Sequence, residues 1–200
     1  MAERIAYSQK YKGINKRWGL PTRQTNQIIR AAEGQLIDEI LDDTPLRISN
    51  WFRDKRTDHE YYYDLIEGRI IEDLLVLWFK TKGFEAVRMG TDADNKIERS
   101  KGKKITTSPD LLVNNKLVEV QVSRQGRRHK YHIKDNKAKK VWSGESVLMF
   151  VVDDDYLVVL PETIDPADME YNMLWGGKKC YCVRPSEQDY RPLTKDVNWL

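Results

Sequence analysis

The residues best suited to chemistry lie in one stretch, residues 108–123, whose sequence is SPDLLVNNKLVEVQVS. Two segments rich in Leu and Val flank the pair Asn114-Asn115. Because Asn tolerates a positive φ, this pattern predicts a β-hairpin closed by a two-residue turn of the primed type.

A two-residue turn would also fix the register of the hairpin. Each residue before the turn then faces one after it: Val113 faces Lys116, Leu112 faces Leu117, Leu111 faces Val118 and Asp110 faces Glu119. Side chains alternate along a strand, so Asp110, Glu119 and Gln121 would share one face. Opposed carboxylates repel each other unless a cation, a shared proton or abundant water separates them. A hard cation such as Mg²⁺ or Mn²⁺ would serve, and the alternative is a solvated edge hairpin with two acidic residues.

Length and composition indicate the class of protein. Two hundred residues with a net charge of +3 suit one globular domain with a terminal extension. No apolar run of about 18 residues is present and residues 1–7 lack an apolar signal region, so we expect no membrane span and a cytoplasmic location, in the host if the chain is phage-encoded. Cys180 and Cys182 are spaced for neither a disulfide framework nor a zinc site, and we expect them to lie in a strand.

Two helices are predicted before the hairpin. Apolar residues recur at helical spacing from Thr25 to Leu41 and again over residues 58–82, where Gly83 marks the end. The second helix carries two candidate acids, Glu67 and Glu72. The alternative for either is a partly exposed helix glutamate.

Pro109-Asp110 followed by Glu119-Val120-Gln121 resembles the signature of the PD-(D/E)XK nuclease superfamily, also called restriction-endonuclease-like. The resemblance implies that Asp110, Glu119 and the Val120 carbonyl bind a divalent metal, Mg²⁺ or Mn²⁺, at which phosphodiester bonds are hydrolysed. The third motif position is usually Lys. Here it is Gln121, which some restriction enzymes of the family also carry and which would orient the water or the phosphate.

Residues 67–75 and 82–88 are similar to the opening of archaeal Holliday-junction resolvases and related phage nucleases. In those proteins a Gly is followed four residues later by a Glu, and a Gly-Phe leads into the first strand. By this resemblance Glu72, four residues after Gly68, matches the first acidic motif and would bind a metal near Asp110 and Glu119. Glu67 remains the alternative.

The densest positive run follows the hairpin, over residues 124–140. From about Lys130 to Gly144 the pattern predicts a helix with Lys130, Lys134 and Lys137 on one face. Such a stripe suits a phosphate backbone, and a solvated face is the alternative. The candidate nucleic-acid-binding residues are Arg124, Arg127, Arg128, Lys130 and Lys137.

A weaker resemblance involves residues 122–124, Tyr131 and residues 134–137, which look like the segment after the acidic strand in viral cap-snatching endonucleases. There the catalytic lysine comes from a helix. The resemblance implies that Lys134, or Lys137, supplies the charge that Gln121 lacks.

Further elements complete the fold prediction. We expect strands over residues 147–152, 156–160 and 179–183, and a short helix from Asp165-Pro166 to Gly176-Gly177. The fold class is α/β, with a restriction-endonuclease-like core of helix, three-strand meander, helix and two strands, and an N-terminal helical extension. The predicted domains are an extension over 1–57, the nuclease core over 58–163 and a C-terminal extension over 164–200.

The function expected from these features is a divalent-metal-dependent DNA endonuclease, of the restriction or the phage and junction-processing kind. The expected partner is double-stranded DNA, and cutting both strands suggests a homodimer or two encounters. An inactive nucleic-acid-binding module of the same fold and an RNA endonuclease of cap-snatching type are the alternatives.

Overall fold

The computed structural model describes residues 7–41, 58–89, 109–123, 126–173, 176–195 and 197–200. The chain divides into two compact units, Met1–Thr107 and Ser108–Leu200. The domain boundaries predicted from the sequence, after residues 57 and 163, stay predictions.

The first unit is mainly helical. Its elements are α1 (Tyr7–Lys10), α2 (Ile14–Arg17), α3 (Thr22–Leu41), α4 (Asp58–Thr81) and the short strand β1 (Ala86–Arg88). Both long helices lie where the apolar spacing predicts them, although α3 begins three residues earlier than expected. Among the described helices, none combines the length and the apolar character that crossing a bilayer requires.

Helix α4 is buried over a wide arc. Ile66, Ile70, Leu74 and Trp78 follow one another at intervals of four residues and are at most 1% exposed. Full burial of an aliphatic side chain of this size contributes about 1.5–3 kcal/mol, so this row anchors the unit. The helix ends at Thr81, and Gly83, whose φ is +85°, permits the reversal of the chain that follows.

The second unit contains most of the strands. Its elements are β2 (Leu111–Val113), β3 (Lys116–Ser123), β4 (Tyr131–Lys134), α5 (Asp135–Trp142), β5 (Ser146–Val152), β6 (Asp155–Val159), β7 (Met169–Asn172), β8 (Lys178–Val183) and β9 (Arg191–Pro192). In the larger sheet these strands lie in the order β2-β3-β5-β6-β9. The β3–β5 pair is parallel and the others are antiparallel, so the fold is mixed α/β with a mostly antiparallel sheet.

The hairpin has the predicted register. Leu111 pairs with Val118, Leu112 with Leu117 and Val113 with Lys116. The turn residues Asn114 and Asn115 have φ values of 43° and 67°, as a primed two-residue turn requires. Strand β5 is also confirmed, because every residue from Ser146 to Val152 is buried.

Two predicted helical segments are wrong. Residues 131–134 form strand β4 and residues 169–172 form strand β7, and both pair with β8 in a second, antiparallel sheet of order β4-β8-β7. In β4 burial alternates, with Tyr131 and Ile133 buried between more exposed neighbours, which is the period of a strand. Lys130, Lys134 and Lys137 therefore do not share a helix face, since α5 begins only at Asp135.

The core of the second unit gathers side chains from both sheets and from α5. It includes Leu148, Phe150 and Val152 of β5, Ala138 of α5 and Ile133 of β4. In the register of the parallel pair, Glu119 of β3 lies beside Leu148. A carboxylate therefore lies on the strand face that packs into the core.

Candidate active site

Asp110 is held beside strand β3 by its own carboxylate. Its Oδ2 accepts a hydrogen bond of 2.7 Å from the backbone N–H of Val120. Asp110 directly precedes Leu111, whose partner is Val118, and its carboxylate bonds the residue that follows Glu119. One acid thus lies just before β2 and the other lies in β3, and the direct facing of the two stays a prediction.

Glu119 is only 4% exposed, and each of its two carboxylate oxygens contacts the ammonium group of a lysine. Its Oε2 lies 2.6 Å from Nζ of Lys137, and its Oε1 lies 3.1 Å from Nζ of Lys140. The lysines are three residues apart on α5 and so project from one face of the helix. A buried carboxylate is costly unless it is paired, and these two ammonium groups neutralise it.

The atoms at this site suit a hard divalent ion, and the charges decide how one would bind. Asp110 and Glu119 supply carboxylate oxygens, the ligands that Mg²⁺ and Mn²⁺ prefer. Since both oxygens of Glu119 contact ammonium groups, an ion there has to displace Lys137 or Lys140. Both side chains are long and flexible, and that of Lys137 is 25% exposed, so withdrawal toward solvent is open to it.

Positive charge at the site extends beyond the two lysines that contact Glu119. Lys134 ends strand β4, and although the residue is exposed, desolvation of its ammonium together with Lys137 and Lys178 lowers its pKa. We call Lys134, Lys137, Lys140 and Lys178 the lysine cluster. Lys137 and Lys140 alone carry one positive charge more than Glu119 neutralises, which suits a phosphate group.

Gln121 lies two residues after Glu119 and therefore on the same face of β3. It is half-buried and pairs in register with Phe150. Its amide can donate and accept hydrogen bonds but carries no charge.

The two candidate acids of α4 have different surroundings within the first unit. Glu67 is 5% exposed, pairs with Lys10 and accepts a hydrogen bond of 3.2 Å from the hydroxyl of Tyr11. Burial, followed by the charge of Glu67, raises the pKa of Tyr11. Glu72 is half-buried, and its part in a metal site with Asp110 and Glu119 stays a prediction.

The predicted nucleic-acid-binding residues are mostly engaged by acids. Arg127 pairs with Asp155 at 2.6 Å and with Glu187, and hydrogen bonds to these carboxylates, first to Asp155, raise its pKa. Lys130 pairs with Glu170 at 2.5 Å. Their role in binding nucleic acid stays a prediction.

The other three predicted nucleic-acid-binding residues are not engaged in the same way. Arg128 is exposed, and its backbone N–H contacts the hydroxyls of Tyr131 and Tyr190, each at 3.2 Å. Lys137 contacts Glu119, as described above. Arg124 lies outside the described residues.

Lys140 is the site residue to which the sequence assigned no role. The sequence did contain a signal for Lys140. The apolar side of the helix is formed by Ala138 and Val141, and each of them directly follows a lysine, Lys137 or Lys140. Charged residues that flank an apolar stripe lie at the edge of the core, where they can reach a buried acid.

Comparison with protein-family models matched no family, and comparisons with curated proteins and with solved structures found no match. The chemistry of the site is therefore inferred from its geometry alone. That geometry consists of two carboxylates on adjacent strands, an amide beside them and a lysine-bearing helix facing one of the acids.

Proposed function

We propose that this chain is a divalent-metal-dependent nuclease with a restriction-endonuclease-like core, and that it cuts DNA internally. One observation carries the proposal: the Asp110 carboxylate bonds the backbone of Val120, directly beside Glu119, and Lys137 contacts Glu119. Two acids and a lysine are the groups that the PD-(D/E)XK resemblance calls for. Here the lysine comes from α5 instead of the position of Gln121.

The residues have separate roles in this proposal. Asp110 and Glu119 hold Mg²⁺ or Mn²⁺, with the Val120 carbonyl as a third ligand. The ion supplies a more acidic water and stabilises negative charge on the phosphate. Gln121 orients the water or a phosphate oxygen through hydrogen bonds.

Lys137 takes the role of the missing motif lysine. Of the two lysines that the sequence left open, it is the one whose contact with Glu119 supports this role. With a divalent ion bound to Glu119, Lys137 would be available to stabilise the charge on a phosphate oxygen. The rest of the lysine cluster attracts the backbone of the nucleic acid.

A second candidate function is nucleic-acid binding without cleavage. The observation in its favour is that Lys137 and Lys140 already neutralise Glu119, so the fold does not require a metal at this position. In such a protein the lysine cluster would bind phosphates and the acidic pair would be structural.

The deciding experiment incubates the purified chain with supercoiled, linear and single-stranded DNA, and with RNA, in Mg²⁺, Mn²⁺ or EDTA. The nuclease proposal expects supercoiled DNA to be nicked or linearised with metal and left intact in EDTA and by Asp110→Asn. This variant suits the test because the amide oxygen of Asn can still accept the Val120 hydrogen bond. Salt-sensitive binding without cleavage in either metal would favour the second candidate, and selective cutting of RNA would correct the substrate.

The proposed homodimer needs its own measurement. Sedimentation of the chain alone and bound to a short duplex would show one or two protomers per DNA. A single protomer that cuts both strands in one encounter would contradict it.

A further inference from the structure

A group of three metal-binding side chains lies on the second sheet, and none of them belongs to the acidic pair or the lysine cluster. His132 comes from β4, Glu170 from β7 and Cys182 from β8. One ligand atom from each lies within 4.8 Å of the others. We propose that His132, Glu170 and Cys182 bind a zinc ion, a site that goes beyond the proposed nuclease function.

The strand register explains how the three side chains meet. His132 and Cys182 are directly paired across β4 and β8. Glu170 pairs with Cys180, which places it diagonal to Cys182 on the same face of the sheet. A glutamate is long enough to reach across such a diagonal. The pairing of the three strands therefore positions all three ligands, without a contribution from a loop.

The distances leave room for an ion. Oε2 of Glu170 lies 3.2 Å from Nε2 of His132. In tetrahedral zinc sites with bonds of about 2.0–2.3 Å, neighbouring ligand atoms are roughly 3.2–3.7 Å apart. Small rotations of side chains would bring all three atoms onto one ion.

The neighbouring charges orient Glu170 for a single metal bond. Lys130 lies 2.5 Å and Arg184 lies 3.8 Å from Oε1, while Oε2 is the oxygen that faces His132. One oxygen is thus held by cations and the other is directed at the proposed ion. Such outer hydrogen bonds are what fix metal-ligating carboxylates in place.

Asn172 can set the imidazole in the form that binds metal. Its Nδ2 lies 3.2 Å from Nδ1 of His132. A half-turn of the amide puts Oδ1 in that place, where it accepts a hydrogen bond from the N–H at Nδ1 and leaves the lone pair of Nε2 for the ion. Asn172 would therefore act as a positioning residue.

The mixture of donors selects the metal. A thiolate, an imidazole and a carboxylate form a set that suits zinc and does not suit Mg²⁺, which prefers oxygen. The side chains of His132 and Glu170 are 33% and 38% exposed, which leaves a route for an ion, while Cys182 is 3% exposed. With three protein ligands, the fourth position would hold water or an anion.

The test titrates Zn²⁺ into the full chain by calorimetry and records the absorption of the Co²⁺ form. We expect one ion per chain and a thiolate-to-Co²⁺ charge-transfer band. Cys182→Ser should lose the band, while His132→Gln and Glu170→Gln should each weaken Zn²⁺ binding by at least about tenfold. Asn172→Ala should weaken it by about 10–100-fold.

Cys180→Ser is the matched control, because Cys180 is a buried cysteine two residues away in the same strand and outside the group. It should keep the band, and so should Asp110→Asn, which separates this site from the nuclease. Circular dichroism checks that each variant is folded. If Cys182→Ser does not fold, the variants at the partly exposed His132 and Glu170 still test the site. The proposal is overturned by an absent band in the wild type, by a band that survives Cys182→Ser, or by unchanged zinc affinity in both His132→Gln and Glu170→Gln.

Discussion

The ammonium of Lys137 lies 2.6 Å from the carboxylate of Glu119 and joins helix α5 to strand β3. Glu119 lies on the core-facing side of the sheet, so this contact and that of Lys140 balance a charge that water cannot reach freely. The same carboxylate is a proposed metal ligand. The lysines therefore stabilise the fold in the absence of metal and must partly release Glu119 when metal binds.

Removing the carboxylate should destabilise the protein more than removing one lysine. Glu119→Gln leaves two ammonium groups near each other without their acid, and we expect a loss of about 3 kcal/mol in the free energy of unfolding. Lys137→Met leaves Lys140 in contact with Glu119 and should cost about 1–2 kcal/mol. Urea denaturation measures both. Lys139→Met, at an exposed position on the same helix, is the control, and similar losses in all three variants would contradict the proposed balance of charge.

Cleavage should depend on Asp110 and Lys137 in different ways. Asp110→Asn should abolish metal-dependent cleavage, as should Glu119→Gln when assayed at a temperature at which that variant is folded. Lys137→Met should lower the rate by about 10²–10³-fold, as expected for loss of one charge that stabilises the transition state. Rates on supercoiled DNA are the measurement, with Lys139→Met as the unaffected control. A larger loss in Lys134→Met than in Lys137→Met would return the lysine role to Lys134.

Salt dependence should distinguish the lysine cluster from Arg127, which is paired with two acids. Lys134 lies in the positive field of Lys137 and Lys178, which a phosphate would relieve. Lys134→Gln should therefore reduce the slope of log K against log salt by about 0.9. Arg127→Gln should change it little, because Arg127 is bonded to Asp155 and Glu187. Fluorescence anisotropy with a DNA duplex gives both slopes, and the reverse order would place the interface at Arg127.

The hairpin turn should tolerate Gly and reject Ala at Asn115. Its φ of 67° is left-handed, a conformation that costs Ala about 1–2 kcal/mol. Asn115→Ala should lower the free energy of unfolding by about 1 kcal/mol, while Asn115→Gly should preserve it or raise it. Chemical denaturation tests this pair of variants. Equal stability of the two would mean that the turn does not keep this geometry in solution.

Stability should fall in alkali through Tyr190. Burial, and then the hydrogen bond with Tyr131, raises the pKa of Tyr190 to about 12, against 10.0 for an exposed tyrosine. Above about pH 10 the unfolded chain loses this proton while the folded chain keeps it, so stability declines as pH rises toward about 12. Tyr190→Phe should flatten this decline in denaturation curves measured across that range. The exposed Tyr171→Phe should leave the decline unchanged, and flattening by both variants would refute the assignment.

The hairpin could be predicted because its information is local. The Asn pair at the turn and the apolar residues around it determine the register, which pairs Leu111 with Val118 and so brings Asp110 close to the segment that holds Glu119. Strand β5 was equally clear, since seven consecutive buried residues suit a strand that is covered on both faces.

The missed elements depend on distant partners. Strand β4 has only four residues, in a segment dense with charge, and its partner β8 lies almost fifty residues later. Strand β7 follows Asp165, whose carboxylate resembles a helix cap but instead bonds the N–H of Ala167 in a turn. For the contact of Lys137 and Lys140 with Glu119 the sequence held only a partial signal, the charges beside the apolar positions of α5, because the packing of this helix against the sheet depends on distant segments.

The pairing of β4 with β8 also has a consequence for the order of folding. Helix α5 follows β4 without a gap and packs against β5 and against β8, the partner of β4, so the position of Lys137 and Lys140 depends on elements that come later in the chain. During synthesis the ribosome must release residues 178–183 before that partner exists. The hairpin with Asp110 and Glu119 can form earlier from local contacts alone. In a nascent chain the acidic residues of the site are therefore positioned first, and the lysines of α5 are positioned later.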